Sequence, residues 1–498
     1  MAAPDKPKRT VPRVPKGFRD LPAEDVVARR RMIEQVCRVY EQYGFQPLET
    51  PAVEYVDCLG KFLPEADQPD AGVFSWKYDD DEWVALRYDL TAPLARFVAE
   101  NFQELGTPFR RYQTGPVWRM EKPAPGRFRE FTQLDIDIVG AGSMLADAEV
   151  ACVLADAIEA LGIPRGSYLV KMNDRKLLDG LLERLGCDQT KKLRVLRSLD
   201  KLDRVGAGGV RDLLGPGRKD PSGDVMEGAG LTPEQIDRAM GFLAAPEGNR
   251  ARFLEAMAGL VAGSKDGDAG VAEMRELDAI LGERGVGDDR VTFSPTIVRG
   301  LAYYTGPVLE VNLTFPVEGE GGERTEFGSV AGGGRYDGLV GRFMGQPVPA
   351  TGASIGVDRL LTALKALKKL PARAGSCPVL VTAIEVKKYR KEYQALAAEI
   401  RAAGIPTELY VGGGGVDKQF KYADKRGFTV AVVAGGNELA KNEVSIKDLR
   451  MGQEASAGIT DRAAWLKDLP GQVTVPREKL LETIRSFLAR YETPAAPT

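Results

Sequence analysis

Apolar residues recur at helical spacing over residues 24–43 (EDVVARRRMIEQVCRVYEQY), and Gly44 marks a stop before the extended segment FQPLETPAVEY. Helix, turn and strand are expected in that order. From 83 to 140 the chain reads as strand-like WVALRYDL, a helix TAPLARFVAEN, and then two β-rich runs, RRYQTGPVWRM and RFREFTQLDIDIVG, facing each other across a KPAPG turn as in a hairpin. A helix is expected over 146–162, then strand SYLVKMND and helix RKLLDGLLERLG. Residues from about 190 to 290 are charged, helical and interrupted by glycine, a helical insertion between two β-rich blocks. Strand character returns in RVTFSPTIVRGLAYYTGPVLEVNLTF and FGSVAGGGRYDGLV, and GASIGVDRLLTALKAL is a glycine-marked turn from strand into helix. After KLPARAGSCP, strands VLVTAI, TELYVG and TVAVVAG alternate with helices, the pattern of an open α/β sheet, and REKLLETIRSFLARYE closes the sequence as a helix.

The length of 498 residues implies two or three domains. With 43% hydrophobic and 28% charged residues and no apolar run long enough to cross a bilayer, no membrane role is expected. The start MAAPDKPKRTVPRVPKGFRD reads as a loose basic arm, not a secretory signal, so the cytoplasm is the expected compartment. Five scattered cysteines, none in a Cys-x-x-Cys pair, argue against both a disulfide framework and a zinc site. A formal charge of −3 leaves any nucleic-acid contact to local basic surface.

The chain has no histidine at all. This excludes a Ser-His-Asp triad, a Cys-His pair, an H-E-x-x-H zinc site and a histidine general base. Chemistry at phosphate fits the restriction, since it depends on positioning and on Arg, Lys or Mg²⁺ to offset charge. Three segments offer arginines for it: Arg119 with Glu121 on a strand, returning through Arg127 and Phe131; Arg299 in IVRGLAYYTG; and Arg359 in GASIGVDRL, beside a helix start. AGGGRYDG resembles a phosphate loop but lacks the Lys-Ser/Thr ending of a Walker motif. Asp89, Asp135 and Asp137 are expected on strands among apolar residues, with Gln133, Asp135 and Asp137 in one polar stripe. A buried acidic stripe calls for internal salt bridges or a cationic ligand, and residues alone favour the salt bridges.

Taken in order, these segments resemble class II aminoacyl-tRNA synthetases, and among them the histidyl-tRNA synthetases, from about residue 17 to 450. FQPLETPAVE is similar to the first class motif, VWRME through GRFREF to the second and GASIGVDRL to the third; IVRGLAYYTGPVLE, LRYDLTAP, REFTQLDID and VAGGGRYDG carry the resemblance to the histidine family. The resemblance implies an α+β catalytic domain on a mainly antiparallel sheet, with a helical insertion, and a C-terminal α/β anticodon-binding-like domain. The corresponding boundaries are a basic arm at 1–16, catalytic segments at 17–164 and 291–371, the insertion at 165–290 and the C-terminal domain at 372–498. It implies a homodimer packed around the first motif, and a histidine–tRNA ligase reaction using ATP with Mg²⁺, L-histidine and tRNA(His). Arg119, Arg299 and Arg359 would be the catalytic residues. ATP would meet Arg119, Glu121, Arg127, Phe131 and Arg359. Histidine would meet Asp89 and Gln133, helped by Thr91, at its ammonium group, Asp137 and Tyr304 at its ring, and Arg299 at its carboxylate, where Arg299 would also contact the α-phosphate; Tyr303 would bind histidine as well. Lys418, Lys421, Lys425 and Arg426 offer a basic face to tRNA. Ala302 departs from the family signature, which usually has an acidic residue there, and REFTQLDID is closer to the eukaryotic-like form of the pocket. The competing reading is a non-catalytic synthetase-like regulatory subunit or sensor of uncharged tRNA, a class that tends to lose the arginines or the C-terminal domain.

Overall fold

A computed structural model describes residues 10–59, 72–79, 82–123, 127–219, 225–298, 304–318, 324–367, 377–451 and 471–491. The chain divides into two compact units, the larger made of Met1–Asp20 and Arg29–Lys369 and the smaller of Leu21–Ala28 and Leu370–Thr498; α1, most of which falls in the larger, is described with it. In the larger unit the elements run α1 (Ala23–Gln42), β1 (Gln46–Pro47), β2 (Val53–Tyr55), α2 (Val56–Leu59), β3 (Ser75–Lys77), β4 (Trp83–Leu86), α3 (Thr91–Asn101), β5 (Phe109–Trp118), β6 (Glu130–Val139) and α4 (Met144–Ala160). They continue with β7 (Tyr168–Asp174), α5 (Arg175–Arg184), α6 (Gln189–Leu199), α7 (Leu202–Leu214), β8 (Gly217–Lys219), β9 (Val225–Glu227), α8 (Pro233–Leu243), α9 (Arg250–Val261), α10 (Lys265–Glu283) and β10 (Val291–Phe293). The unit closes with β11 (Pro307–Glu318), β12 (Arg324–Arg335), α11 (Gly338–Met344), β13 (Ala350–Gly356) and α12 (Val357–Ala366).

The frame of this unit is an eight-stranded sheet in the order β1-β5-β6-β13-β12-β11-β7-β10. It is parallel at β1–β5 and β7–β10 and antiparallel at every other pairing. The mainly antiparallel catalytic sheet expected from the sequence is therefore what forms. Apolar residues spaced for one helix face drive α1 onto this unit through Met32, Val36, Val39 and Tyr40, all at most 8% exposed. The helical stretch leaves from β7 and returns to β10, its parallel neighbour, and it carries a short hairpin of β8 and β9 that periodicity did not reveal. Its helices start where a side chain can cap them. Asp174, Asp188, Thr232, Asn249 and Ser264 each accept a backbone N–H from the first turn of α5, α6, α8, α9 and α10.

Glycine decides the packing at the middle of the sheet. A Cβ on Gly333 would lie 2.1 Å from the carbonyl oxygen of Gly352 on the next strand. Gly332 to Gly334 belong to β12 and pair on both sides, so the AGGGRYDG segment is a close-packed strand and not a phosphate loop.

The smaller unit has β14 (Val379–Val381), α13 (Val386–Ala402), β15 (Thr407–Leu409), α14 (Val416–Arg426), β16 (Val430–Val433), α15 (Gly436–Ala440), β17 (Glu443–Asp448), β18 (Gln472–Pro476) and α16 (Leu480–Ala489). Its strand order is β15-β14-β16-β17-β18. β14 is parallel to both its neighbours, as expected of an α/β sheet, while β17 and β18 add an antiparallel edge that the sequence pattern did not show. The main core cluster of this unit is built around Val379, Val381, Leu396, Ile400, Val430, Ile446 and Ile484, with Tyr393 and Phe487 buried among them.

Candidate active site

Cross-strand register builds the floor of the site. Arg111 on β5 stands opposite Asp137 on β6, which stands opposite Gly352 on β13; two residues along, Gln113, Asp135 and Ser354 form the next row. The polar stripe expected on β6 therefore exists, and it is buried: Gln133 is 8%, Asp135 1% and Asp137 2% exposed. Arg111 is fully buried; its Nη2 lies 2.7 Å from Asp137 Oδ2 and donates to the Leu90 carbonyl oxygen at 3.0 Å. The Tyr336 hydroxyl donates to Asp137 Oδ1. Gln133 Nε2 donates to Ser354 Oγ at 2.6 Å, and Asp135 also bonds Ser354. Gln133 Oε1 and Asp135 Oδ1 are buried without a hydrogen-bond partner among the described residues.

Above this floor is a cavity of about 450 Å³. Of the residues anticipated from sequence, Asp89, Thr91, Arg119, Phe131, Gln133, Asp137, Tyr304 and Arg359 all line it. Asp89 is not on a strand as expected. β4 ends at Leu86, and Asp89 sits in the turn into α3, where its Oδ1 accepts from the N–H groups of Thr91 and Ala92 at 3.1 and 2.9 Å. An aspartate there satisfies two helix-start donors, which outweighs the strand pattern around it.

Arg119 also falls just past the expected strand, since β5 ends at Trp118. Its Nε donates to the Tyr88 carbonyl oxygen at 3.1 Å, and its guanidinium lies 5.1 Å from the Phe131 ring centroid. Glu121 is likewise off the strand; it pairs with Arg127, and neither lines the cavity. Arg359, in the first turn of α12, donates to the Phe327 carbonyl oxygen at 3.0 Å. Arg299, Tyr303 and Ala302 lie outside the described residues. Lys418, Lys421, Lys425 and Arg426 are exposed on α14 of the smaller unit, interspersed with Asp417 and Asp424. That unit has its own cavity of about 410 Å³, lined by Glu385, Lys387, Lys388 and Gly412 to Gly414, with none of the anticipated residues.

Burial governs the electrostatics. It pushes the Asp135 carboxyl up from its ordinary 3.8 to about 7, with the Arg111 guanidinium pulling the other way and Asp137 adding to the rise. Asp137 is raised for the same first reason, against Arg111 and the Tyr336 hydrogen bond. Asp89 is raised by burial too, opposed by its backbone bonds and Arg119. Tyr304 is pushed well above the ordinary phenol range by burial and then by Asp89, Asp135 and Asp137. The cavity thus has an anionic end, with acceptors stripped of water, and a cationic end at Arg119 and Arg359.

Residues 16–19 brace this site. Arg19 Nη2 meets Asp358 Oδ1 at 2.5 Å, while Asp358 Oδ2 accepts from the Thr132 N–H at 2.8 Å. The Arg19 guanidinium stacks 3.8 Å from the Phe128 centroid, and the Gly17 carbonyl accepts from the Arg129 N–H at 2.8 Å. Neither this brace nor Arg111, Tyr336 and Ser354 was anticipated. For Arg111 a signal was present: Arg111 and Gln113 alternate on β5 as Asp135 and Asp137 do on β6, and pairing the two runs as a hairpin sets them face to face.

A family profile described as histidyl-tRNA synthetase matches residues 17–360, and one described as anticodon binding domain matches 377–486. The histidine–tRNA ligase of Caulobacter vibrioides is 49% identical over 487 residues, covering 97% of this chain and 98% of its own. That of Rhizobium leguminosarum bv. trifolii is 51% identical over 490 residues, covering 97% and 96%. Among solved structures, a Nostoc histidyl-tRNA synthetase superposes with a TM-score of 0.72 at 29% identity, covering 96% of this chain and all of the other. A Bacillus halodurans protein described as an ATP phosphoribosyltransferase regulatory subunit/histidyl-tRNA synthetase superposes with a TM-score of 0.65 at 26% identity, covering 83% and 97%.

Proposed function

The chain belongs to the histidyl-tRNA synthetase family, and from that premise we propose that it is a histidine–tRNA ligase working in the cavity above β6 and β13. It activates L-histidine with ATP and transfers the histidyl group to tRNA(His). The observation that carries the reading is the polarity of one cavity: Asp89, Gln133 and Asp137 at one end, Arg119 and Arg359 at the other. Free histidine offers an ammonium cation and a polar ring, and ATP offers phosphates, so the two ends suit the two substrates.

In this assignment Asp89 and Gln133, helped by Thr91, receive the ammonium group. The unpartnered Gln133 Oε1 is an acceptor waiting for such a donor. Asp137 and Tyr304 take the imidazole, with Tyr303 beside them. Arg119 offsets charge at the α-phosphate, Arg359 holds the terminal phosphates and Phe131 stacks on the adenine; Glu121 and Arg127 attend it from the hairpin. Arg299 bridges the histidine carboxylate and the α-phosphate. A carboxylate oxygen of histidine attacks the α-phosphorus in line, pyrophosphate leaves, and histidyl-adenylate forms. The terminal ribose hydroxyl of tRNA then attacks the acyl carbon and AMP leaves. In this reading Mg²⁺ enters with the ATP phosphates and helps offset their charge.

The helical insertion faces the acceptor end of tRNA in this reading, and the smaller unit, with Lys418, Lys421, Lys425 and Arg426, faces the anticodon. Two copies pair around the first motif; Val53, within that motif, and Tyr55, just past it, both in β2, are 41% and 43% exposed, and a partner would cover them. The cytoplasm is the proposed compartment. Among the described residues no helix is long and apolar enough to cross a membrane.

Pyrophosphate exchange into ATP, run with each of the twenty amino acids and repeated with Arg299→Ala, tests the proposal. Exchange with histidine alone, lost in the variant, is expected. No exchange with any amino acid would sink it and favour a regulatory role, the alternative that the Bacillus halodurans neighbour keeps in view.

A further inference from the structure

Arg111 is a fully buried cation in the floor of the cavity, yet it does not line the cavity itself. Its Nε and Nη1 have no hydrogen-bond partner among the described residues, and its closest charged contact is Asp137 at 2.7 Å. A buried guanidinium with two idle donors is costly to keep for packing alone. Its effect must pass through the carboxylate it touches.

We infer that Arg111 is a positioning residue that fixes which protonation state of the ligand ring the cavity accepts: by neutralising Asp137 from beneath, it selects the uncharged imidazole. The inference rests on the assignment of the ring to Asp137 and Tyr304. With the Arg111 guanidinium 2.7 Å from Oδ2 and the Tyr336 hydroxyl donating to Oδ1, the charge of Asp137 is already compensated, while Oδ2 has no hydrogen-bond partner among the described residues. It can still accept one N–H from a neutral ring. A ring carrying its own charge would sit beside the guanidinium with no anion left to balance it.

The surrounding groups agree with this division. On its own strand Asp137 is preceded on the same face by Asp135, whose ordinary value of 3.8 is moved to about 7 chiefly by burial. From the turn into α3 it is faced by Asp89, already bonded to two backbone N–H groups, and from β11 the cavity is faced by Glu310, which accepts from Asn312 at 3.1 Å. Tyr40 on α1, Tyr304 and Tyr336 complete the titratable neighbours, and burial holds all three phenols in the protonated form. The glycines opposite Asp137 leave the lane beside it open: a Cβ on Gly352 would fall 2.1 Å from Asp137 Oδ1.

The test compares histidine with 1,2,4-triazolylalanine, an isostere whose ring stays neutral in weak acid, in pyrophosphate exchange between pH 5.5 and 8. Free imidazole titrates near 6.5, so at pH 5.5 only about a tenth of histidine has a neutral ring. For the unmodified enzyme the ratio of KM for histidine to KM for the isostere is expected to rise about tenfold from pH 8 to pH 5.5. The isostere cancels titration of the protein's own groups. Arg111→Met is expected to flatten or reverse the rise, and Arg111→Lys, which keeps the charge, to retain it. A ratio that stays flat in the unmodified enzyme overturns the inference even if Arg111→Met does not fold. Asp137→Asn separates the two levels: a raised histidine KM in that variant together with a flat ratio condemns the role of Arg111 alone, whereas an unchanged KM condemns the ring assignment beneath it.

Discussion

Replacing Asp135 by asparagine changes one buried atom group and makes a pH-dependent prediction about stability. Asp135 is 1% exposed, and burial moves its carboxyl from 3.8 to about 7. Because the folded state holds this proton more tightly than the unfolded chain does, the associated stability is full below about pH 4 and is lost as pH rises to about 7. At about 1.4 kcal/mol for each pH unit across that interval, the linkage amounts to ~4 kcal/mol, of which ~3 kcal/mol falls above pH 5. The amide of the Asp135→Asn variant has no such proton to lose, while the rises at Asp89 and Asp137 remain in both proteins and cancel to first order. Urea unfolding at pH 5, 6, 7 and 8, followed by the fluorescence of Trp76, Trp83 and Trp118 in the larger unit, reads the difference. The stability of the variant relative to the parent should climb by about 3 kcal/mol from pH 5 to pH 8. Parallel curves, offset by a constant, would refute the claim that the Asp135 carboxyl is desolvated and proton-bound in the folded state.

Gly352→Ala should both destabilise the protein by ~1–3 kcal/mol and raise KM for histidine at least about tenfold, because its Cβ lands 2.1 Å from Asp137 Oδ1 and 2.5 Å from the Ile136 carbonyl oxygen. Exchange kinetics with an unaltered KM would contradict the geometry. Arg335→Met leaves Asp147, 1% exposed and paired with that guanidinium, as an uncompensated buried charge; unfolding free energy should fall by ~3–5 kcal/mol, and a loss under about 1 kcal/mol would count against the pair. Arg119→Ala should slow histidine-dependent exchange by about 10²- to 10³-fold with an unchanged circular dichroism spectrum, since the side chain faces the cavity, bonded to the Tyr88 carbonyl and set over the Phe131 ring. Reversing charge with Lys421→Glu and Lys425→Glu on the exposed face of α14 should raise KM for tRNA and reduce its salt dependence without touching exchange; equal tRNA binding would place that contact elsewhere.

What the sequence made legible followed from local periodicity and from motif chemistry. The β5–β6 hairpin, the turn from β13 into α12 and the first helix all answer to short-range pattern, and eight of the anticipated ligand residues meet at one cavity because those elements lie side by side. Departures occur where a tertiary or capping demand overrides pattern. Asp89 looks like a strand residue, yet it leaves the sheet to satisfy helix-start donors. Glu121 and Arg127 read as strand residues, but they lie off the strands and pair with each other. The antiparallel pair β17 and β18 was invisible because strands that finish a sheet carry the same alternation as any exposed run. Arg111 was overlooked because a single strand arginine is ordinary; only its partner across the hairpin makes it unusual.

The brace formed by Arg19, Asp358 and Thr132 has a consequence for synthesis on the ribosome. Arg19 and Asp358 are 339 positions apart, and Asp358 and Thr132 are 226 apart. The hairpin can pair as soon as residue 139 has emerged, because its contacts are local. At a translation rate of about 5–20 residues per second, the arm must then wait some tens of seconds or less for its acidic partner to appear. During that interval the growing polypeptide has a formed hairpin but no clamp upon it, so the brace on the ATP-facing half of the cavity can close only after residue 358 has been made.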